Sequence, residues 1–135
     1  MTCPFCQLDP SRIVSERDGF IVIRDGYPVT EGHSLVIPRR HVGRFAELGD
    51  AEAAALLLVI RAVMDDLISE YGPLDFNVGI NDGELAGQTI LHLHAHVIPR
   101  RPGDVEDPRG GVRWVIPDKA AYWETRTGPG DDDER

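Results

Sequence analysis

Residues 90–98 read Ile-Leu-His-Leu-His-Ala-His-Val-Ile, an apolar segment with a histidine at every second position of its middle. Side chains alternate between the two faces of a β-strand. In a strand from Thr89 to Ile98, closed by Pro99, His92, His94 and His96 share one face. Leu91, Leu93, Ala95 and Val97 share the other. The apolar set can pack on a helix, which leaves three imidazoles lining the opposite face. Three of the chain's five histidines fall within these five residues, a density that core packing does not require.

Moving outward, Phe20 to Arg24 is a β-rich run that stops at the turn residues Asp25-Gly26-Tyr27-Pro28. His33 to Ile37 reads as a second strand stopped by Pro38. The intervening loop, residues 25–32, suits an antiparallel pair with a longer connection than a tight hairpin. Downstream, Leu56, Ile60, Val63, Leu67 and Tyr71 recur at helical spacing. They define a long helix from Ala51 to about Glu70, with Asp50 as N-cap and Gly72-Pro73 as terminator. Phe76 to Asn81 alternates as a third strand, followed by a polar loop through Gly87. Past the histidine strand, Pro102 to Gly111 reads as a loop, Val112 to Ile116 as a short fifth strand and Ala120 to Thr125 as a final helical turn. The sum is an α+β domain, a mainly antiparallel five-stranded sheet packed with one long helix and a short C-terminal helix. One domain is expected over residues 1–125, with a disordered acidic tail over 126–135.

Composition narrows the partners. A net charge of −9 over 135 residues argues against a general nucleic-acid binder, which needs a basic face. Arginines do gather at Arg39-Arg40, Arg100-Arg101, Arg109 and Arg113, enough for a local phosphate site if the fold brings them together. No apolar run approaches the roughly 20 residues that span a bilayer, so no membrane partner is expected. Met1-Thr2-Cys3-Pro4 lacks the features of a signal peptide, and a cytoplasmic protein is expected. The only cysteines, Cys3 and Cys6, stand as C-x-x-C, which in a reducing compartment points to metal or redox chemistry.

Clustered imidazoles serve two chemistries. One is a transition-metal centre in which His92 and His94 are catalytic ligands and an open position activates water. The other is nucleophilic catalysis by a neutral imidazole, for which histidine's ordinary pKa of about 6.5 is suited. The surroundings favour phosphate chemistry. Gly87-Gln88-Thr89 offers approachable backbone, an amide and a hydroxyl, all able to donate to phosphate oxygens. No carboxylate lies within the strand to complete a hydrolytic metal site.

His92-Leu93-His94-Ala95-His96-Val97-Ile98, preceded by Gly87-Gln88-Thr89, resembles the signature of the histidine triad (HIT) superfamily. The likeness extends through Asp25, Gly32-His33-Ser34-Leu35-Val36-Ile37-Pro38, the long helix and Asn81. Pro108 to Trp114 is similar to bacterial members labelled dinucleoside polyphosphate hydrolases. The resemblance implies a homodimeric α+β protein that cleaves nucleotides at the α-phosphorus of phosphoanhydrides or phosphoramidates through a nucleotidyl-histidine. It implies His94 as nucleophile, His96 as donor to the phosphate oxygens and His33 as the completing histidine. Asn81, Gln88 and Thr89 would hold phosphate or leaving group, Asp25 the ribose hydroxyls, and Val22 and Leu35 the base. Some bacterial members bind zinc, and their ligands correspond to Cys3, Cys6, His41 and His92. Four N/S ligands leave no open position, so that zinc would be structural. No organic cofactor is implied. Two neighbouring functions remain open at this point: a nucleotidyltransferase or phosphorylase with an acceptor other than water, and a nucleotide-binding regulatory protein with little turnover.

Overall fold

A tight hairpin opens the sheet. Strand β1 (Ile13–Arg17) turns through Asp18-Gly19 into β2 (Phe20–Arg24), with Arg17 opposite Phe20. Asp18 and Gly19 both have positive φ, 52° and 83°. Two left-handed residues match the right-handed twist of the flanking strands, which is why Asp-Gly favours this turn. β1 is the strand that the sequence reading lacked. Its residues are mostly exposed, so it carries little of the hydrophobic signal that marks a buried strand.

The computed structural model describes residues 3–124. The chain divides into two compact units, residues 1–101 and residues 102–135. In the first, β3 (Ser34–Pro38), helix α1 (Asp50–Tyr71), β4 (Asp75–Ile80) and β5 (Ala95–Arg100) follow the hairpin. The sheet order is β1-β2-β3-β5-β4, antiparallel throughout. The expected five-stranded α+β architecture is therefore present, with β1 as its fifth strand. The histidine-bearing strand is shorter at its start and longer at its end than expected: it begins at Ala95 and runs through Pro99 to Arg100. Pro99 pairs with Phe76, and its carbonyl accepts from the Thr30 hydroxyl at 2.7 Å, so the missing N–H costs no bond there.

The sheet is apolar on both faces. On one, Phe20, Val22, Val36, Ala95 and Val97 meet Leu56, Val59, Ile60, Val63 and Leu67 of α1. On the other, Ile21, Ile23, Leu35 and Ile37 pack beneath Phe5. α1 is capped by Gly49 rather than Asp50. The Glu52 carboxylate accepts the Gly49 N–H at 3.0 Å, which fixes the cap one residue before Asp50, the first residue of the helix. Gly72 ends the helix as expected, donating its N–H to the Ile68 carbonyl.

In the second unit Val112 to Ile116 is not a strand. Gly111–Val115 is a 3₁₀ turn, followed by α2 (Pro117–Ala120) and a second 3₁₀ turn, Tyr122–Glu124. Arg113 explains the preference: its guanidinium donates to the carbonyls of Lys119 and Ala120 and stacks on Tyr122 at 4.7 Å. Such local partners favour a coiled path over a strand with no neighbour to pair with. Thr125 and the acidic tail lie outside the described residues. No helix among the described residues is long and apolar enough to cross a membrane.

Gly32, just before β3, sits at φ +91°, where a Cβ would stand 3.1 Å from the Tyr71 ring and 3.2 Å from Leu67. We expect Gly32→Ala to cost on the order of 1–3 kcal/mol from backbone strain and crowding. Urea denaturation checks this; an unchanged midpoint would show that α1 yields freely here.

Candidate active site and metal centre

Between Gln88 and His94 the chain approaches the sheet without joining it, held by the Leu93 N–H on the Val42 carbonyl at 2.7 Å. The alternation expected of a strand largely survives in this segment. Leu93, Ala95 and Val97 are buried, the latter two on the α1 side. His96 lies opposite Leu35, and the ring of His94 meets Phe5, both on the other face. Leu91 departs from the pattern, being 70% exposed.

The hydrogen bonds assign a tautomer to each buried imidazole. The Val29 N–H can only donate, so His33 Nδ1, 3.1 Å away, accepts. Neutral His33 then carries its proton on Nε2 and gives it to His96 Nδ1 at 2.9 Å. His96 is left with an N–H on Nε2. His94 Nδ1 faces the His92 carbonyl at 2.8 Å and must donate, which leaves Nε2 with the bare lone pair. His92 Nε2 donates to the Pro38 carbonyl at 2.7 Å, leaving its Nδ1 unprotonated. The four rings thus present one lone pair at His94, one proton at His96 and one metal-ready nitrogen at His92.

Burial favours the neutral state at His33 and His96. It pushes the pKa of His96 down to about 4, with His94 and His33 adding to the effect and Asp25 opposing it. His33 is lowered chiefly by burial, against the pull of Asp25. Asp25 Oδ2 lies 3.4 Å from His33 Nε2 and 3.9 Å from His96 Nδ1, while Oδ1 accepts the Tyr27 N–H. Asp25, His33 and His96 could in principle hold a cation. The Val29 N–H argues otherwise, because a metal on His33 Nε2 requires the proton on Nδ1, where that donor already points.

A second cluster answers the opposite description. Cys3 Sγ is 3.3 Å and Cys6 Sγ 3.5 Å from His92 Nδ1. His41 Nδ1 is 3.2 Å from Cys6 Sγ and 3.1 Å from His92 Nδ1. Tetrahedral zinc, with bonds of about 2.0–2.1 Å to nitrogen and about 2.3 Å to sulfur, places its donors roughly 3.3–3.8 Å apart. The cluster is slightly tighter than that, its donor set is all N and S, and the His92 tautomer already turns a lone pair inward. The residues fit zinc.

The remaining expected residues divide. Asn81 and Thr89 are exposed and make no side-chain hydrogen bond among the described residues. Gln88 is buried, and its amide is committed: Nε2 donates to the Gly43 and Ile90 carbonyls, and Oε1 accepts the Gly83 N–H. It braces the loop rather than offering a donor to a ligand. Leu35 is on the histidine face, but Val22 is not. Its side chain points into the α1 core at 1% exposure, so it has no path to a base on the other face. On that face the buried apolar residues are Phe5, Ile21, Ile23, Leu35 and Ile37. Parity along the second strand distinguishes Ile21 and Ile23 from Val22 in the sequence itself; Phe5 had no signal beyond its position between two cysteines. Three of the arginines already have carboxylate partners. Arg39 pairs with Glu16, Arg40 with Glu52 and Arg109 with Asp107.

Known proteins match this arrangement. The HIT domain model matches residues 7–103. The adenosine 5'-monophosphoramidase hnt1 of Schizosaccharomyces pombe is 33% identical over 104 residues, covering 74% of this chain and 75% of that protein. The asymmetrical bis(5'-nucleosyl)-tetraphosphatase of the same yeast is 39% identical over 80 residues, 59% of this chain and 44% of that protein. A zinc-bound histidine triad family protein from Mycobacterium smegmatis superposes with a TM-score of 0.70 at 29% identity, covering 93% of this chain and 98% of that one. The chain spans from 18% to 83% of the length of the curated relatives it matches.

The depressed pKa of His96 has a consequence for stability. The unfolded chain takes up this proton near pH 6.5 and the folded chain near pH 4, so between those values the unfolded state binds more protons. Stability is then fully present above about pH 6.5 and falls on acidification toward about pH 4. Urea denaturation at a series of pH values should show a shallower acid loss in His96→Gln than in the unsubstituted chain. Identical slopes would assign the acid sensitivity to other groups.

Proposed function

The chain belongs to the HIT family, and from that membership we propose that it is a nucleotide hydrolase working through a covalent nucleotidyl-histidine. Its substrates are nucleoside phosphoanhydrides or phosphoramidates cleaved at the α-phosphorus. One observation carries the reading: His94 is pinned through Nδ1 to the His92 carbonyl, which leaves Nε2 as a neutral nucleophile beside the proton of His96.

In the first step the Nε2 lone pair of His94 forms a bond to the α-phosphorus, and the bond from phosphorus to the leaving group breaks. The His96 Nε2–H donates to the phosphate oxygens as charge builds there. His33 keeps His96 in the donating tautomer. Thr89 and Asn81 offer further donors, while Gln88 acts through the loop that carries them. In the second step water attacks the same phosphorus, the bond from phosphorus to His94 Nε2 breaks, the water's proton passes to solvent, and the nucleoside monophosphate leaves with His94 restored. Asp25 receives the ribose hydroxyls through Oδ2, and Leu35, on the histidine face, belongs to the apolar floor beneath the base. The names of the yeast relatives support both leaving-group classes, a polyphosphate and an amine.

Cys3, Cys6, His41 and His92 would hold zinc. A fourfold N/S set has no open position, so the ion would supply cross-linking and no Lewis-acid surface for substrate. A homodimer is part of the same reading. It is supported by the open edge of β4 and by Leu57, Leu58 and Ile68, which α1 exposes at 68%, 53% and 41%.

Mass spectrometry during turnover of adenosine phosphoramidate or a diadenosine polyphosphate, with acid avoided in the quench, tests the mechanism. A transient adduct of one nucleoside monophosphate is expected on the peptide holding His94, and His94→Ala should lose turnover while still binding nucleotide. Near-normal rates in that variant would end the nucleophile assignment. A chelator should lower the melting temperature and release close to one zinc per chain; loss of turnover with melting unchanged would instead favour a catalytic metal.

A further inference from the structure

Between the two thiols of Cys3-Pro4-Phe5-Cys6 stands a side chain with a different target. Phe5 is 8% exposed. Its ring meets His94 edge-on, centroids 5.1 Å apart and planes at 70°, and meets His92 at 6.0 Å and 83°. The remainder of the ring rests on Ile21, Ile23, Leu35 and Ile37.

His94 needs that contact. Its one hydrogen bond among the described residues, from Nδ1 to the His92 carbonyl, determines which nitrogen is bare. One bond does not stop the ring from pivoting about it, and a pivot swings Nε2 through an arc. The His96 ring walls one side, at 5.2 Å and 60°. Phe5 supplies another wall. An imidazole pressed by aromatic rings and tied by one hydrogen bond has little freedom left.

Phe5 in turn cannot easily withdraw. Cys3 and Cys6 flank it, and their sulfurs lie 3.3 and 3.5 Å from His92 Nδ1. Whatever gathers those sulfurs also presses the ring between them onto the sheet.

We propose that Phe5 is a positioning residue for His94: held by the cysteines on either side, its ring keeps Nε2 of His94 aimed at the α-phosphorus. This rests on the reading of His94 as nucleophile. The metal-binding knuckle and the nucleophile are then linked through packing as well as through the backbone of His92. Misplacement of a reacting group by about 1 Å can cost around a hundredfold in rate, so a modest pivot matters.

The test compares Phe5→Ala, Phe5→Leu and Phe5→Tyr in the full, zinc-loaded chain. Leu keeps apolar contacts with Ile21 and Ile23 and serves as the control for folding; Tyr keeps the ring. Zinc per chain and melting temperature are measured first, then the rate of His94 nucleotidylation, kcat and KM with adenosine phosphoramidate. The ¹⁵N signals of the His94 imidazole are recorded in the resting protein. Phe5→Ala and Phe5→Leu are expected to lose about 10- to 100-fold in nucleotidylation and kcat, with KM within about threefold. Their zinc content should be retained, and the single Nδ1–H tautomer of His94 should give way to a mixture. Phe5→Tyr should restore most of the rate. A raised KM with unchanged kcat would overturn the proposal and make Phe5 only a wall of the base pocket. Loss of rate with the tautomer signal intact, or with equal loss in Phe5→Tyr, would overturn it as well. Absence of any nucleotidyl adduct in the unsubstituted chain would refute the nucleophile reading instead, and the tautomer signals would still report whether Phe5 holds the ring.

Discussion

The His92 imidazole is completely buried, and each of its polar groups is used in a different direction. Nε2 donates to the end of β3 at Pro38, Nδ1 faces Cys3, Cys6 and His41, and the backbone carbonyl receives the Nδ1–H of His94. Removing this ring would leave a carbonyl, two thiols and another imidazole without their common partner. A buried polar group costs little only while its bonds are made. His92 is therefore where the sheet, the N-terminal segment and the candidate nucleophile are made consistent with one another.

The partition of the sheet into two apolar faces makes this possible. α1 closes one face with a continuous core, so that side has no room for chemistry. The other is closed by Phe5, with Cys3, Leu8, Ile13 and Ile90 packed around it, and by the rim of histidines beside it. That asymmetry puts polar side chains against a low-dielectric floor, where burial keeps the His33–His96 pair neutral and gives their hydrogen bond one direction, from His33 Nε2–H to His96 Nδ1. Asp25, close to both rings, offsets part of that effect without reversing it.

Much of this was legible in the residues. The period of α1, the parity of the histidine run and the C-x-x-C spacing led to the helix, the histidine face and a candidate metal site at Cys3 and Cys6, while His41 and His92 joined that site only through the family resemblance. What escaped had physical reasons. β1 is polar and lies at an edge, although Asp18-Gly19 announced its turn. Pro99 looked like a stop, yet it lies within β5 because a proline's carbonyl remains a good acceptor. Val22 was grouped with Leu35 as an apolar residue of the first two strands, when strand parity and the pairing of Ile23 with Leu35 put it on the α1 side. Gln88 looked like a free donor because a sequence cannot reveal that nearby carbonyls have already claimed its amide. Phe5 had to be seen in three dimensions, since no pattern links residue 5 to residue 94.

The contact between Cys3 and His92 closes a span of 89 residues. Forming it by closing the bare chain would restrict nearly the whole first unit, an entropic cost that grows with the logarithm of the span. Local pieces such as the β1–β2 hairpin and α1 need no such closure. The cluster that gathers both ends is accordingly the least local part of the molecule, and a chain that has formed its hairpin and helix can still lack a working site. Catalytic competence in this protein would then emerge at the end of folding, and a bound ion there would act on the disordered chain much as a long-range covalent staple does, by thinning the ensemble that competes with the native state.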